Sequence, residues 1–225
     1  MLIRGRVVMV AMLIGAPALA SWINEGLSPE EAHQIRRLAI VSGLRDEIHG
    51  RLFGLTRFQN KEFDVTVPGW DLDAKITKDL AEQIVAGGKL RGEVIALAMP
   101  PSKKRDILSE AQKLGFDAVL AVAAEQSVPD RALVGGVMLL RQKKLGSDRL
   151  NPCAGIVIRI WRVRDGKQIG FTAPDPCDFD HSAPIWRDKW EEFSDVEKQA
   201  TVANLEGFVF ERMNSALVKL RLHDQ

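Results

Sequence analysis

The chain has 225 residues, 46% of them hydrophobic, with 31 basic and 30 acidic side chains and a formal net charge of +1. This length accommodates one domain with a substantial core and is short for two. The balanced charge excludes a strong sequence-independent attraction to nucleic acid or to an anionic membrane, so we expect no nucleic-acid partner.

The first twenty residues have the pattern of a secretory signal peptide. Arg4 and Arg6 precede an apolar run over residues 7–18, and Ala-Leu-Ala at residues 18–20 forms a small-residue cleavage site. The run is shorter than the ~20 apolar residues of a membrane span. We therefore predict residues 1–20 as a signal peptide and 21–225 as one periplasmic or secreted domain without a membrane span. Cleavage removes two Arg and leaves 29 basic against 30 acidic residues.

Short helix and strand signals open the mature chain. Residues 28–31, Ser-Pro-Glu-Glu, have the order of a capping box and predict a short helix. The apolar residues 38–41 predict the first strand. Residues 45–51 are charged and are predicted as a loop, whereas 52–58 and 63–67 form either one interrupted strand or a hairpin.

A helix and a strand–helix–strand unit follow. Asp71 is predicted to cap a helix over 71–86, whose apolar side chains step in fours: Leu72, Ile76, Leu80 and Ile84. Residues 89–124 predict a strand, a helix and a second strand that is apolar throughout. Strands joined by a crossover helix are normally parallel neighbours, and a strand without alternation is covered on both faces. We therefore predict this unit as the middle of an α/β sheet.

The remaining elements complete an α/β (α+β) fold. Residues 134–140 predict a strand, 141–152 a mobile polar connector, and 156–171 a hairpin whose two-residue turn is Asp165-Gly166. Ser194 begins a second capping box and a helix that reaches about Leu220. The order of elements predicts a single domain with a mixed β-sheet, packed helices, a late β-hairpin and a long C-terminal helix.

The two cysteines, Cys153 and Cys177, are predicted to form a disulfide. An exported chain meets an oxidising compartment, where thiols tend to pair. If Arg164 pairs with Lys167 in the hairpin, paired positions sum to 331 and Cys153 comes within one residue of Cys177. The alternative is that both are reduced and buried, as small apolar residues.

The element order and two short motifs resemble a group of bacterial envelope domains. The motifs are Gly-Phe-Asp-Ala-Val at residues 115–119, entering a strand, and Arg-Val-Arg-Asp-Gly-Lys at 162–167, in a hairpin. The group includes the amino-terminal domain of TolB, the curli-pore lipoproteins and the lipoprotein activators of penicillin-binding proteins. The resemblance implies a non-catalytic binding or assembly module with an envelope protein partner. Many members carry an anchoring cysteine near the mature amino terminus, which this chain lacks.

Familiar catalytic spacings are missing from the sequence. It contains no G-x-S-x-G, no H-E-x-x-H and no phosphate-binding glycine loop. We therefore favour a binding module without a cofactor. The alternative is a periplasmic enzyme or small-ligand carrier, with a site near Ser102–Arg105 or Asp178–His181.

Two polar clusters are candidate ligand sites. Lys103, Lys104 and Arg105 fall in the first turn of a predicted helix, where exposed amides favour anions, so they form an anion site or simply a solvated face. His181 follows Asp175, Asp178 and Asp180, which could together hold a cation. The run lacks the spacing of a calcium loop, so we favour turn formation and predict no metal. The basic connector residues Arg141, Lys143, Lys144 and Arg149 lack aromatic neighbours, which argues against single-stranded nucleic acid.

An aromatic cluster precedes the last helix. After Pro184, the rings of Trp186, Trp190 and Phe193 recur at spacings of four and three, which predicts one shared helix face. The rings either pack in the core or anchor a protein partner, since Trp is enriched at binding hot spots.

Overall fold

The computed structural model describes residues 25–97, 103–125, 134–177 and 185–224. The predicted signal peptide lies outside them. The elements in chain order are α1 (Pro29–Gln34), β1 (Arg37–Gly43), β2 (Glu47–Phe53), β3 (Lys61–Thr66), α2 (Leu72–Gly87), β4 (Glu93–Ala96), α3 (Lys104–Lys113), β5 (Ala118–Ala124), β6 (Gly136–Lys144), β7 (Ser147–Arg162), β8 (Gln168–Thr172) and α4 (Asp195–Lys219). Two 3-10 helices, Arg57–Gln59 and Trp190–Glu192, lie between them.

Within the described residues, eight strands form one mixed sheet. Hydrogen-bonded neighbours follow the order β3-β2-β6-β7-β5-β1-β4, and β8 also pairs with β7. Strand β1 is parallel to β4 and β5, and β2 is parallel to β6. Strand β7 is antiparallel to β5, β6 and β8. The mixed sheet, the β7–β8 hairpin and the 25-residue C-terminal helix confirm the predicted fold class.

Strand β7 joins two halves of this sheet. Its residues 147–155 pair with β6 and residues 156–162 pair with β5. On one edge of β7, Cys153 pairs with Met138 of β6. On the opposite edge, Cys153 pairs with Cys177, and β8 pairs with β7 along that same edge. Strands β5 and β6 therefore lie end to end along the same edge. The β5 half, as we call it, consists of β4, β1, β5, β8 and residues 156–162 of β7. The β6 half consists of β3, β2, β6 and residues 147–155 of β7.

Helices cover both faces of the β5 half. On one face α2 and α4 pack on the sheet, and the predicted α2 stripe of Leu72, Ile76, Leu80 and Ile84 is fully buried. On the other face α3 buries Ile107 and Ala111 against Val119 and Trp161. Strand β5 is thus covered on both faces, as its unbroken apolar sequence predicts.

Both predicted capping boxes are present, and Asp71 occupies the N-cap position of α2 as predicted, but without a side-chain cap bond. The Ser28 and Ser194 side chains each accept a hydrogen bond from the backbone N–H three residues later, at Glu31 and Glu197. Asp71 makes no side-chain cap bond and has a left-handed φ of 54°. Asp46 caps α2 instead, because its carboxylate accepts from the backbone N–H of Leu72 at 2.8 Å.

The prediction that the strands of residues 89–124 are neighbours is wrong. Strands β4 and β5 are parallel, but β1 lies between them and pairs with both. Strand β4 is consequently an edge strand rather than the middle of the sheet. A crossover helix determines the direction of the second strand and leaves the number of strands that it passes undetermined.

Two segments predicted as loops are strands. Residues 45–51 contribute most of β2, in which Ile48, Gly50 and Leu52 are buried and alternate with more exposed residues. Strand β2 pairs antiparallel with β3, so the hairpin alternative for residues 52–67 is correct. Residues 141–152 are no mobile connector either, since they continue β6, turn at residues 145–146 and begin β7.

The β7–β8 hairpin is present with a longer turn than predicted. Arg162 N–H donates to the Lys167 carbonyl at 2.8 Å, so four residues rather than two form the turn. The register also differs by one residue from the predicted one. Ile158 pairs with Thr172, so paired positions sum to 330 instead of 331. The same register places Cys153 directly opposite Cys177, with 4.2 Å between their Cα atoms. The predicted disulfide between them is confirmed.

Candidate functional site

Two hairpin loops leave the β6 half at the same end of the sheet. Strand β2 runs parallel to β6 as far as the pair Phe53 and Gln142. Residues 54–60 then connect β2 to β3, and residues 145–146 connect β6 to β7. Because neighbouring strands lie ~4.8 Å apart, the two loops are adjacent. We call residues 54–61 and 141–149 the hairpin end.

The hairpin end exposes three large apolar side chains. Phe58 is 98% exposed, Leu145 93% and Leu55 57%. The other exposed large apolar residues in the described ranges are Val85, Leu114 and Val196, each on or next to a different helix. Singly exposed apolar side chains are ordinary on a protein surface, whereas a group at one place is typical of a binding surface.

Polar side chains hold the 54–60 loop in place. Gly54 N–H donates to the Asn60 side-chain oxygen at 3.0 Å, and Leu55 N–H donates to that of Gln59 at 2.9 Å. Gly54 itself is closely packed, because a Cβ added there would be 2.2 Å from the Gln59 Cβ. These polar groups bind the loop backbone, while Phe58 points into water.

A two-residue turn presents Leu145. Lys144 and Ser147 form the last pair of the β6–β7 hairpin, and only Leu145 and Gly146 connect them. Gly146 has a φ of 81°, in the left-handed region that glycine adopts readily. Leu145 therefore occupies the outermost part of this hairpin.

The hairpin end is strongly basic. It contains one acidic residue, Asp148, and six basic ones: Arg57, Lys61, Arg141, Lys143, Lys144 and Arg149. Arg141 binds Asp148 through two hydrogen bonds of 2.9 and 2.7 Å. The bond from Arg141 lowers the pKa of Asp148 and raises that of Arg141. Five cations remain beyond this ion pair, and four of them, all except Lys143, are exposed.

The aromatic cluster comes together without the predicted helix. Residues 185–189 have no regular structure, and Lys189 has an extended backbone that precludes a continuous helix. The rings of Trp186, Trp190 and Phe193 instead surround Phe63 of β3, with centroids 5.6, 6.2 and 6.2 Å from its own. Trp186 and Phe193 are buried in the core, and Trp190 is half-buried. Pro184 lies outside the described residues.

Lys103, Lys104 and Arg105 are exposed at the start of α3. Lys104 Nζ donates to the Gly166 carbonyl at 2.8 Å and lies 5.3 Å from the centroid of the Trp161 ring. It therefore ties α3 to the β7–β8 turn. Ser102 lies outside the described residues, and an anion at this position stays a prediction.

The other polar candidates divide between described and undescribed residues. Asp178, Asp180 and His181 lie outside the described residues. In the four described ranges, no group of three or more His, Cys, Asp and Glu residues could hold a metal ion.

Two clefts, one of about 540 Å³ beside α1 and one of about 200 Å³ beside Arg162, do not include Lys103, Lys104 or Arg105.

A charged cluster on β2 and β3 was not predicted. His49 Nδ1 lies 2.7 Å and Arg51 Nη2 2.8 Å from the Asp64 carboxylate. Partial burial raises the pKa of Asp64, but the hydrogen bonds from His49 and Arg51 and their positive charges lower it further, so that the net shift is downward. Assigning residues 45–51 to a loop hid this cluster. Its sequence signal is the alternation of His49 and Arg51 with buried residues.

Comparisons with known proteins find likeness only at the level of structure. No family model and no curated protein matches the chain. The PelC dodecamer from Paraburkholderia phytofirmans is 11% identical, covering 90% of this chain and 97% of that chain, with a TM-score of 0.42. Protein XCC0632 from Xanthomonas campestris is 9% identical, covering 90% and 88%, with a TM-score of 0.41. The LpoB C-terminal domain from Salmonella enterica is 12% identical, covering 69% and 87%, with a TM-score of 0.28.

The chain is similar to these three structures at low identity only. With identities of 9 to 12% and TM-scores below 0.5, they assign neither an activity nor a partner to this chain. In the described part of the chain, none of the helices has the length and hydrophobicity needed to cross a membrane.

Proposed function

We propose that this chain is an exported, non-catalytic binding module of the bacterial cell envelope, and that it docks through the hairpin end. The observation that carries the proposal is the exposure of Phe58, Leu145 and Leu55 on two adjacent loops. Removing apolar surface from water is favourable by roughly 25 cal/mol per Å². Phe58 and Leu145 gain almost none of that energy in the isolated chain and Leu55 gains only part of it, so docking would supply the rest.

The geometry of the loops also suits binding. Asn60 and Gln59 hydrogen-bond the loop backbone, and a two-residue turn fixes Leu145. A surface that is ordered before binding loses less conformational entropy when it binds.

Two observations support export. The basic head, apolar run and Ala-Leu-Ala site of residues 1–20 suit a signal peptide. The Cys153–Cys177 disulfide suits an oxidising compartment. The exported protein accordingly begins at Ser21. Amino-terminal sequencing of the protein recovered from the envelope or medium tests this, and recovery of Met1 would contradict it.

Docking is tested by fractionating cells that express the full chain. The double variant Phe58→Ser with Leu145→Ser should shift the protein from the envelope-bound to the freely extracted fraction. The control is Val85→Ser with Val196→Ser, which removes two apolar side chains that are 61% and 75% exposed on α2 and α4. Equal fractionation of the two double variants and the unaltered chain would refute docking through the hairpin end. A photocrosslinker at position 58, compared with one at position 85, then identifies what is bound.

A further inference from the structure

We propose that the hairpin end docks onto the surface of a bilayer that contains anionic lipids. Phe58, Leu145 and Leu55 would enter the interfacial layer, and the surrounding cations would face the lipid headgroups. This inference rests on the proposed function and names the envelope component that is bound.

The order of residues along each loop matches the layers of such a membrane. Among the large apolar residues that the structure describes, Phe58 and Leu145 are the most exposed, and each lies on one of the two hairpin loops. Arg57 and Lys144 are adjacent to them in sequence, and Arg149 pairs with Gln142, three strand pairs behind Leu145. At about 3.4 Å per residue, Arg149 lies about 10 Å behind the tip. Apolar groups that bind membrane interfaces penetrate by about 5–10 Å, which leaves cations at this distance level with the headgroups.

The charge of the hairpin end suits anionic lipids despite the nearly neutral chain. Asp148 is neutralised by Arg141, and Asp188 also contributes negative charge near Arg141. Glu62, at the border of the hairpin end, is the register partner of Arg51 across β2 and β3. Lys143 is the register partner of Asp148, and its charge also lowers the pKa of that carboxyl. In the described ranges, no salt bridge involves the exposed cations Arg57, Lys61, Lys144 and Arg149. Overall charge therefore conceals a local excess of cations at one end of the molecule.

A bilayer fits this surface better than a folded protein does. A protein partner binds most tightly where side chains fill complementary pockets, and interface centres are depleted of charge. The hairpin end has its apolar side chains on protruding tips with cations directly beside them. A fluid interface accepts that arrangement without matching pockets, and anionic headgroups neutralise the cations.

The experiment is cosedimentation of the purified exported protein with vesicles. We use phosphatidylcholine vesicles with and without about 30% phosphatidylglycerol, the anionic component that attracts cationic surfaces. Binding should rise roughly tenfold with the anionic lipid and weaken as added salt screens the charges. Phe58→Ser with Leu145→Ser should lower binding to the anionic vesicles by roughly tenfold, because burial of apolar area contributes to interfacial binding. A triple variant should remove most of the dependence of binding on phosphatidylglycerol. It combines Lys143→Gln, Lys144→Gln and Arg149→Gln.

The Val85→Ser with Val196→Ser control should bind as the unaltered chain does, and thermal melts of all variants confirm that each is folded. Absence of binding to anionic vesicles at low salt overturns the bilayer proposal, as does binding that is indifferent to both sets of substitutions. If vesicles are not bound while a crosslinker at position 58 captures an envelope protein, the bilayer proposal fails and the proposed function stands. If envelope fractionation is also independent of Phe58 and Leu145, both fail.

Discussion

The β5 half and the β6 half share strand β7 but use their apolar side chains differently. In the β5 half, Leu80 of α2 and Leu120 of β5 are inaccessible to water, packed between helices and sheet. At the hairpin end of the β6 half, Leu145 is almost fully exposed. The same residue type thus stabilises the fold at one place and remains available for binding at the other. Position in the fold, rather than hydrophobicity, separates the two roles.

Substitution of a leucine in each region gives the largest contrast. Leu80→Ala should lower the free energy of unfolding by about 2–5 kcal/mol, because it leaves a cavity between α2 and the sheet. Leu145→Ala should change it by less than about 0.5 kcal/mol. Urea denaturation of both variants measures the difference. Similar losses in the two variants would show that the hairpin end is packed in solution.

Reduction of the disulfide should have the next largest effect. The Cys153–Cys177 bond closes 24 residues of chain, for which the loop-entropy model gives roughly 3 kcal/mol. The melting temperature should therefore fall on reduction. Thiol labelling before reduction should find no free cysteine, as a control that the bond is complete, and an unchanged melt would deny the bond a role in stability.

The exposure of Trp190 is intermediate between that of the buried Leu80 and that of the exposed Leu145. Its ring is half-buried and lies 5.1 Å from that of Phe193, centroid to centroid. Trp190→Ala should cost about 1–3 kcal/mol, less than the 3–5 kcal/mol typical of a fully buried aromatic residue. Trp186→Ala, in the buried neighbour, provides the comparison. An unchanged melt together with loss of envelope association would instead make Trp190 a partner anchor.

A smaller effect is expected at low pH. The pKa of Asp64 is below its ordinary value of 3.8 in the folded chain, where the net shift comes from His49 and Arg51. The native state thus binds fewer protons than the unfolded state, so this contribution is present above the ordinary pKa and is lost as pH falls through the lowered one. Asp64→Asn should flatten the acid limb of the stability profile. The change should be small, because Asp64 is largely exposed to solvent.

Sequence patterns predicted the elements whose signals are local. The four-residue steps of α2, the capping boxes at Ser28 and Ser194, and the unbroken apolar run of β5 each depend on neighbouring residues. The position of β1 between β4 and β5 depends on pairing between distant segments, which no local pattern records. Strand β2 was missed because its exposed positions carry charges that also suit a loop.

The candidate site was only partly predictable for a related reason. The disulfide between Cys153 and Cys177 was predictable from two features: the oxidising compartment expected for an exported chain, and the spacing of the two cysteines about the hairpin turn. The basic residues within 141–149 are equally consistent with a solvated connector, which is what the sequence alone predicts. A signal was present, since Leu55 and Phe58 in one turn and Leu145 in the other are large apolar residues among mostly polar neighbours. Its meaning depends on β2 and β6 being parallel neighbours, which brings the two turns together.

Strand β7 also has a consequence for the order of folding. Strands β1 to β6 all precede it in the chain, yet β5 and β6 each use β7 as a partner. A chain that emerges from its amino terminus therefore leaves both strands with an open edge until residues 147–162 follow. Open strand edges can pair with other chains, and long-range pairing of this kind is slow. A chain truncated before Ser147 should accordingly aggregate rather than reach a native sheet.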